Sequence, residues 1–503
     1  MLSVVFSATL EGAEGTVVRL QAVAESALPQ VFVTGLPNTV IRESKERVRA
    51  CLIQHGFDIP SRRVVVNLSP ACTPKQGSQL DLAIALGCLG AEDMLPEGAL
   101  NGIGFLGELA LDGQLQPVPY ALPLIEALEK VSQLHTIVVP HANEQDAALS
   151  GSRKVVLAKD LSAVLAFVKT HDSLPKPVPY KTPIAPKGIA GAASLFDSIA
   201  GQSLGKFALQ VAIAGEHHLL LVGPPGIGKS LLARSAVELL PALDSTDFKD
   251  LVRIHALCGN GVVPSGARPV RVPHHTSSPA SILGGGNQRL IPGEASLAHG
   301  GVLFLDELAE FRRDVLEGMR EPLEAKEILV RRVGQSHRFP ARFTLIAAMN
   351  PCPCGNALGS ASACSCSLGQ RSRYLQKISG PLFDRFDLVV VLTKPKLASR
   401  NSAALTVAAA KESVVRAAER RQERERAGAL LKPDKELKEG DLAWFIDHVD
   451  RSEMSIRRAM KWLRVARTVA DLNDEKQILR EHLIQAQALS LQSLSNRGHG
   501  NWA

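Results

Sequence analysis

Gly223-Pro224-Pro225-Gly226-Ile227-Gly228-Lys229-Ser230 reads G-x-x-x-x-G-K-[ST], the phosphate-binding loop of nucleoside triphosphatases. The flanking sequence agrees. Leu219-Leu220-Leu221-Val222 before it is a short apolar run, as a buried strand should be. Ser230 to Leu240 after it has helical spacing, and Pro241 marks the stop. Glycines in such a loop let backbone N–H groups turn inward around phosphates, where a side chain would block the approach. Lys229 would neutralise the β- and γ-phosphates, the Ser230 hydroxyl would ligate Mg²⁺, and the helix N-terminus adds partial positive charge. ATP and Mg²⁺ are the expected cofactors.

Three further runs fit a parallel sheet around this loop. Gly301-Val302-Leu303-Phe304-Leu305 is a buried strand that ends in Asp306-Glu307. Phe343 to Met349 is a second strand, ending in Asn350, and Leu388 to Leu392 is a third. Asp306 has the setting of the second metal-binding acid of a P-loop enzyme, and Glu307 could polarise the attacking water. Asn350 could orient that water and sense the γ-phosphate. Away from a P-loop, an Asp-Glu pair is usually a solvated turn. A cation for the transition state is still needed. Arg385, in Gly380-Pro381-Leu382-Phe383-Asp384-Arg385-Phe386-Asp387, is one candidate. The bland alternative is a structural salt bridge to Asp384 or Asp387. Arg457, at the start of a C-terminal helix, is a second candidate.

At 503 residues the chain is too long for one core. Strand-like runs at Val17–Ala22, Val31–Val33, Val64–Leu68 and Thr136–Val139 interleave with helical patterns at Val40–His55, Leu80–Leu89 and Leu122–Val131. They predict an α/β or α+β unit over residues 1–171. Residues 172–189 crowd five prolines, Pro175 to Pro186, and read as an extended linker. Residues 190–395 carry the ATP motifs, and 396–503 read as helices with a Gly-rich tail. Met1 to Leu10 lacks a basic n-region and reads as a first strand. No window is long enough for a membrane span, and eight cysteines make no secreted disulfide framework. The expected setting is cytoplasmic, without a membrane partner. Residues 1–175 carry 13 Lys/Arg against 18 Asp/Glu, and the remainder 44 against 32. A basic motor half suggests a polyanionic partner, although a solvated surface would look the same.

The phosphate loop, Asp306-Glu307, Asn350, Arg385 and the helical lid together resemble an AAA+ ATPase. Arg271-Val272-Pro273-His274-His275-Thr276, Gly284-Gly285-Gly286, Pro292-Gly293-Glu294 and Asn350-Pro351-Cys352-Pro353-Cys354-Gly355 are similar to motifs of the magnesium-chelatase-like family, in its YifB/ComM branch. The resemblance spans nearly the whole chain. It implies an α/β fold: an AAA+ P-loop parallel sheet with a helical lid, preceded by a Lon-protease-like α/β domain. It also implies a homo-oligomeric ring, a hexamer, with ATP between subunits. The implied substrate is DNA, as branched recombination intermediates, and the implied task is branch migration during natural transformation. Arg385 would be the finger from the neighbouring subunit, and Arg457 the lid sensor.

The Lon-like resemblance raises a peptidase as a rival. In Pro74-Lys75-Gln76-Gly77-Ser78-Gln79-Leu80-Asp81 the nucleophile position falls on Gln79, beside Ser78, and the matching lysine position falls on Leu122. A serine without its base is a poor nucleophile, so this domain is expected to be non-proteolytic.

Two elements could touch DNA. Glu327 to Phe339 alternates as a β-hairpin with a Gly-containing turn and carries Arg331, Arg332 and Arg338. It lies where helicases of this AAA+ branch carry a pore hairpin. The excursion from Gly259 to Pro292, basic at Arg268 and Arg271, resembles the family's helix-2 insert. His274-His275 is a weak metal signal, since adjacent side chains rarely converge on one ion. Cys352, Cys354, Cys364 and Cys366 are four thiols in fifteen positions. They are candidate ligands for tetrahedral Zn²⁺, at a C-x-C spacing tighter than the usual C-x₂₋₄-C. Cys51, Cys72, Cys88 and Cys258 read as structural. Rivals to a DNA motor are a protein-remodelling or metal-chelatase-type ATPase with no nucleic acid substrate, and a scaffold whose ATPase is vestigial.

Overall fold

The computed structural model describes residues 2–11, 14–35, 39–57, 60–71, 75, 77–170, 172–179, 194–258, 266–286, 291–332, 335–357, 364–393, 405–428 and 433–490. The chain divides into two compact units. One comprises Met1–Thr182 with Val252–Val263 and Arg332–Arg338. The other comprises Pro183–Leu251, Pro264–Arg331 and Phe339–Ala503.

The first unit is built on strands β1 (Leu2–Glu11), β2 (Glu14–Glu25), β3 (Gln30–Thr34), β4 (Arg63–Ser69) and β5 (Ile103–Phe105). A small hairpin comes next, β6 (Glu108–Leu109) with β7 (Leu115–Gln116), and then β8 (Thr136–Pro140) and β9 (Val155–Ala158). The main sheet runs β3-β4-β2-β1-β5-β8-β9. Its β4-β2-β1 centre is antiparallel and its flanks are parallel. Helix Asp81–Ala91 is apolar all round and almost wholly buried, as a helix inside a core must be. The start of the proline-rich stretch belongs to this unit. The Leu157 N–H donates to the Pro175 carbonyl at 2.7 Å, so residues 172–179 lie against β9 rather than hanging free.

The remaining strands are β10 (Leu219–Val222), β11 (Val270–Arg271), β12 (Val302–Leu305), β13 (Glu327–Arg332), β14 (Gln335–Pro340), β15 (Thr344–Met349) and β16 (Leu388–Val391), all in the second unit except for Arg332–Arg338. Five of them make a parallel sheet in the order β11-β12-β15-β10-β16, and β13 and β14 form a two-stranded sheet. The apolar runs are continuous because both faces are covered. Leu219 and Leu221 pack into a core shared with Leu209, Val414, Trp462 and Leu463, whereas Leu220 and Val222 face Ile282, Leu308 and Met319. Helix Ser203–Gly215 covers the Leu219 and Leu221 face of the sheet, helices Val407–Arg426 and Ile456–Leu472 pack on it, and Glu439–Arg451 and Arg480–Ala488 pack against Ile456–Leu472. The amphipathic pattern of Glu481 to Leu494 predicts a longer last helix than the one that ends at Ala488, and residues 491–503 lie outside the described ones.

All five strands point the same way, so the segments leaving the C-terminal ends of β10, β12 and β15 lie along one edge of the sheet. That edge carries the phosphate loop, Asp306-Glu307 and Asn350.

Candidate nucleotide site

The phosphate loop leaves β10 between β15 and β16, with the Gly223 N–H donating to the Met349 carbonyl at 3.2 Å. Gly226 and Gly228 have φ of +75° and +92°, conformations that glycine adopts without strain. A Cβ built on either would meet nothing within 4 Å, so the loop encloses open space rather than packed side chains. The next helix runs Lys229–Arg234 and Ala236–Leu239 through a helical Ser235, and Leu240 turns extended ahead of Pro241. The end matches the one that the sequence periodicity predicts.

Lys229 is buried, and its Nζ spends its hydrogens on three oxygens. They are the Gly223 carbonyl at 2.7 Å, the Pro224 carbonyl at 2.9 Å and Asn350 Oδ1 at 3.0 Å. Burial lowers the lysine below its ordinary pKa, and the nearby Asp306 and Glu307 carboxylates oppose the shift. Lys229, Asp306, Glu307 and Asn350 are therefore brought to one place from three strand ends. The donor set fits the expected ligands. Ser230 and Asp306 offer hard oxygens suited to Mg²⁺, and the loop offers an ammonium group and a helix N-terminus to phosphate.

Glu307 sits at φ +54°, ψ +48°, a conformation that costs a side-chain-bearing residue about 1–2 kcal/mol. Its exposed carboxylate lies 3.3 Å from His275 Nδ1. His275 packs edge-on against Phe311 and beside His274, whose Nδ1 pairs with Thr276 Oγ1 at 2.8 Å. In sequence the His-His pair reads only as a weak metal signal. The partner of His275 is instead the proposed water-polarising acid, reached from 32 residues away in sequence.

The two candidate arginines meet elsewhere. Arg385 pairs with Glu324 Oε1 at 2.5 Å, and Arg457 with the same oxygen at 3.0 Å. The salt bridge weighed for Arg385 exists, but its acid is Glu324 rather than Asp384 or Asp387. Asp387 accepts from the His218 N–H and pairs with Lys461. Burial works against its carboxylate, but His217, His218 and Lys461 outweigh that and hold its pKa below the ordinary range. Arg385 precedes β16, which runs parallel to β10. It therefore lies by the starting edge of the sheet, one four-residue strand, roughly 13 Å, from the phosphate-loop edge.

The elements expected to contact DNA divide. Glu327 to Pro340 is a hairpin, and Arg331 and Arg338 are exposed. Arg332 ends β13, with its side chain outside the described residues, as is the 333–334 turn. The Gly259–Pro292 excursion is corrected in part. Val270–Arg271 is the edge strand of the ATPase sheet, and Arg271 forms a two-pronged pair with Glu294 at 2.6 and 2.8 Å. Arg268 is only 7% exposed and donates to the Gly300 carbonyl. Arg268 is buried within the fold, and Arg271, though partly exposed, has its charge paired with Glu294. Residues 259–265 and 287–290 lie outside the described ones.

In the first unit Ser78 donates to the Glu108 carboxylate, buried Gln79 reaches Thr9, and Leu122 is buried in the core. Lys75 is fully buried and donates to the Pro70 carbonyl. Cys72, Pro74 and Gln76 lie outside the described residues.

Cys352, Cys354, Cys364 and Cys366 converge, with all four sulfurs within 4.8 Å of one another. Cys352 Sγ is 3.4 Å from Cys354 Sγ and 3.6 Å from Cys364 Sγ, and the latter two are 3.5 Å apart. A tetrahedron with Zn–S of about 2.3 Å has edges of about 3.8 Å, so the cluster is sized for one ion. It is too tight for a two-iron cluster, which interposes two irons and two sulfides between its cysteine pairs. The backbone amides of Ala357, Asn356 and Cys354 aim at the sulfurs of Cys352, Cys354 and Cys366, the bonds that stabilise thiolates.

Comparison with known proteins gives three matches in chain order. Residues 20–143 match the model for subunit ChlI of Mg-chelatase, 195–400 that for magnesium chelatase subunit ChlI, and 399–491 that for the ChlI C-terminal region. The chain is 36% identical to competence protein ComM of Haemophilus influenzae, covering 98% of this chain and 99% of that one. It is 35% identical to YifB of Escherichia coli, an uncharacterized protein, covering 96% of each. A shorter likeness, 29% over 183 residues, relates it to human DNA helicase MCM8, covering 36% of this chain and 18% of that one.

Proposed function

The chain belongs to the magnesium-chelatase-like AAA+ family, in its YifB/ComM group, and on that premise we propose that it is an ATP-driven, ring-shaped DNA motor. Its proposed task is branch migration of recombination intermediates. The observation that carries DNA as the substrate is the Glu327–Pro340 hairpin. It presents Arg331 to solvent and leads, after three residues, into the strand that ends at Asn350, so a short stretch of chain connects the basic tip to the hydrolysis site. The excess of 44 Lys/Arg over 32 Asp/Glu after residue 175 supports a polyanionic partner. A relative named for competence and a local likeness to a DNA helicase point the same way.

In this reading Lys229 leaves the Gly223 and Pro224 carbonyls and Asn350 for the β- and γ-phosphates, and Ser230 and Asp306 hold Mg²⁺. The ion would neutralise the charge that develops as the terminal phosphate leaves. Glu307 polarises water, and Asn350 orients it. Arg385 lies at the far edge of its own sheet, so it serves as a finger only for a neighbouring subunit's nucleotide. Arg457, beside it on Glu324, is the lid cation. This favours a closed ring, a hexamer by the family pattern. The first unit is a non-proteolytic scaffold, since the matched lysine position is the buried Leu122. The four cysteines hold one zinc ion, and the setting is the cytoplasm. No described helix is long and apolar enough to cross a membrane.

The test is the purified chain with ATP and a branched DNA. DNA-stimulated hydrolysis with conversion of the branched species is expected, and loss of both in Glu307→Gln. Hydrolysis indifferent to DNA, with no conversion, removes the DNA motor. A protein-remodelling or metal-chelatase-type ATPase then stands in its place.

A further inference from the structure

Two segments of the second unit, 350–355 and 364–375, meet at the cysteine cluster, and the first of them touches the phosphate loop. Asn350, two residues before Cys352, accepts from Lys229. Cys352 opens a turn closed by the Gly355 N–H donating to its carbonyl at 2.9 Å. Gly355 has φ +81°, and a Cβ on it would stand 2.4 Å from Cδ and 3.1 Å from Cγ of Pro225. Only a bare backbone can press so closely on the proline ring. Residues 350–355 thus hold the loop at both ends, at Pro225 and at Lys229. On its other side Cys366 leads into helix Leu368–Leu375, which Ser367 and Gln370 cap reciprocally. Tyr374 of that helix is buried and hydrogen-bonded to the Asn350 backbone.

We propose that zinc bound by Cys352, Cys354, Cys364 and Cys366 is a clasp that sets the phosphate loop for nucleotide. It rests on the reading that these four thiols hold zinc. The physical argument concerns what else could hold the turn. Cys352 is buried at the base of the turn, but Cys354, Cys364 and Cys366 are only partly buried, so the link between the turn and the Cys364–Cys366 segment runs through the thiols. Four metal–sulfur bonds, supported by three backbone N–H groups, supply that link. With the ion in place, the Cys352–Gly355 turn is tied to the helix that carries Tyr374. Pro225 and Asn350 are then fixed from one rigid body. Without it, nothing links the two cysteine pairs, the turn loosens, and the loop loses the wall behind Pro225. Affinity for nucleotide falls before any residue that touches nucleotide has changed.

The experiment uses the full chain, reduced and purified without chelator. Elemental analysis should find about one zinc per chain, and Cys364→Ser should lower that content. A fluorescent ATP analogue should bind about tenfold more weakly to the stripped protein, the loss expected when one or two supporting contacts go, and added Zn²⁺ should restore it. Should stripping unfold the chain, Gly355→Ala decides. It pushes a methyl into Pro225 without touching a thiol, so zinc should stay bound while analogue affinity falls to a similar degree. Zinc present, with affinity within about twofold of the parent after stripping or in Gly355→Ala, overturns the clasp and leaves the zinc reading standing. No zinc in the purified chain overturns the zinc reading itself.

Discussion

His275→Ala should raise the basal rate of ATP hydrolysis. The Glu307 carboxylate rests 3.3 Å from His275 Nδ1. In the proposed mechanism it leaves that ring to polarise a water beside the γ-phosphate, and the cost of leaving is part of the barrier. The magnitude comes from exposure. The two side chains retain 31% and 58% of their accessible surface, and pairs this open are worth about 0.2–1 kcal/mol. At about 1.36 kcal/mol per factor of ten, the release is worth a rise of about 1.4- to 5-fold in kcat. KM should hold, since neither atom is placed against the nucleotide phosphates. The assay is steady-state hydrolysis at saturating ATP without DNA. His275→Asn, which keeps a short polar group that can meet the carboxylate, should stay nearer the parent. A lower rate in His275→Ala would refute the reasoning, because it would mean that the ring aims Glu307 for chemistry rather than restraining it. A rise well beyond tenfold would refute it too, since an exposed contact cannot hold back that much.

Lys229→Ala removes the ammonium group at the phosphate loop, and nucleotide affinity should drop by about a hundredfold or more, the loss of one or two charge-assisted bonds; titration with an ATP analogue checks it. Arg385→Ala should bind ATP normally and hydrolyse it slowly, about 10³-fold slower if it is the finger. Mixing it with Lys229→Ala subunits should recover activity at the mixed interfaces, and full-rate hydrolysis by Arg385→Ala alone would place the finger elsewhere. Arg331→Ala/Arg332→Ala should fold and hydrolyse ATP at the basal rate but lose DNA stimulation. Its binding should lose about 0.7–0.9 of salt slope per phosphate contact, and an unchanged slope would refute contact by these side chains.

The fold is legible in the sequence where a residue's surroundings are set by its chain neighbours. Val302 to Leu305, Thr344 to Met349 and Leu388 to Val391 are apolar on both faces, and a strand covered on both sides must read as an unbroken apolar run. The same logic finds the edges of β10 and stops the helix before Pro241. It fails at β11. Val270–Arg271 is a two-residue edge strand whose arginine is partly exposed. Its sequence carries no period, so it reads as part of an insert. Pairing with Val302 and Leu303, more than thirty residues away, is what places it.

The site shows the same boundary more sharply. Lys229, Asp306 and Asn350 are legible because each comes directly after a strand of one parallel sheet, or within its loop, and parallel strands deliver their ends to a common edge. That argument needs only strand direction, so sequence suffices. Side-chain partnership between elements lies beyond it. Arg271 and Arg331 look alike in sequence, basic and beside a valine, yet Glu294 neutralises the first, while the second is exposed. His275 finds Glu307, and Arg385 and Arg457 share Glu324 from 61 and 133 residues away. Gly355 is visible in sequence as a glycine in a cysteine motif, but its reason is the ring of Pro225 against its Cα. Each of these pairs decides what a charge or a glycine is for. The hairpin reading survives this filter at Arg331 because the strand carries that side chain into solvent, whereas the Gly259–Pro292 reading fails at Arg268 and Arg271. A basic residue counts toward a polyanion only when the fold has not already spent its charge on an acid or a carbonyl.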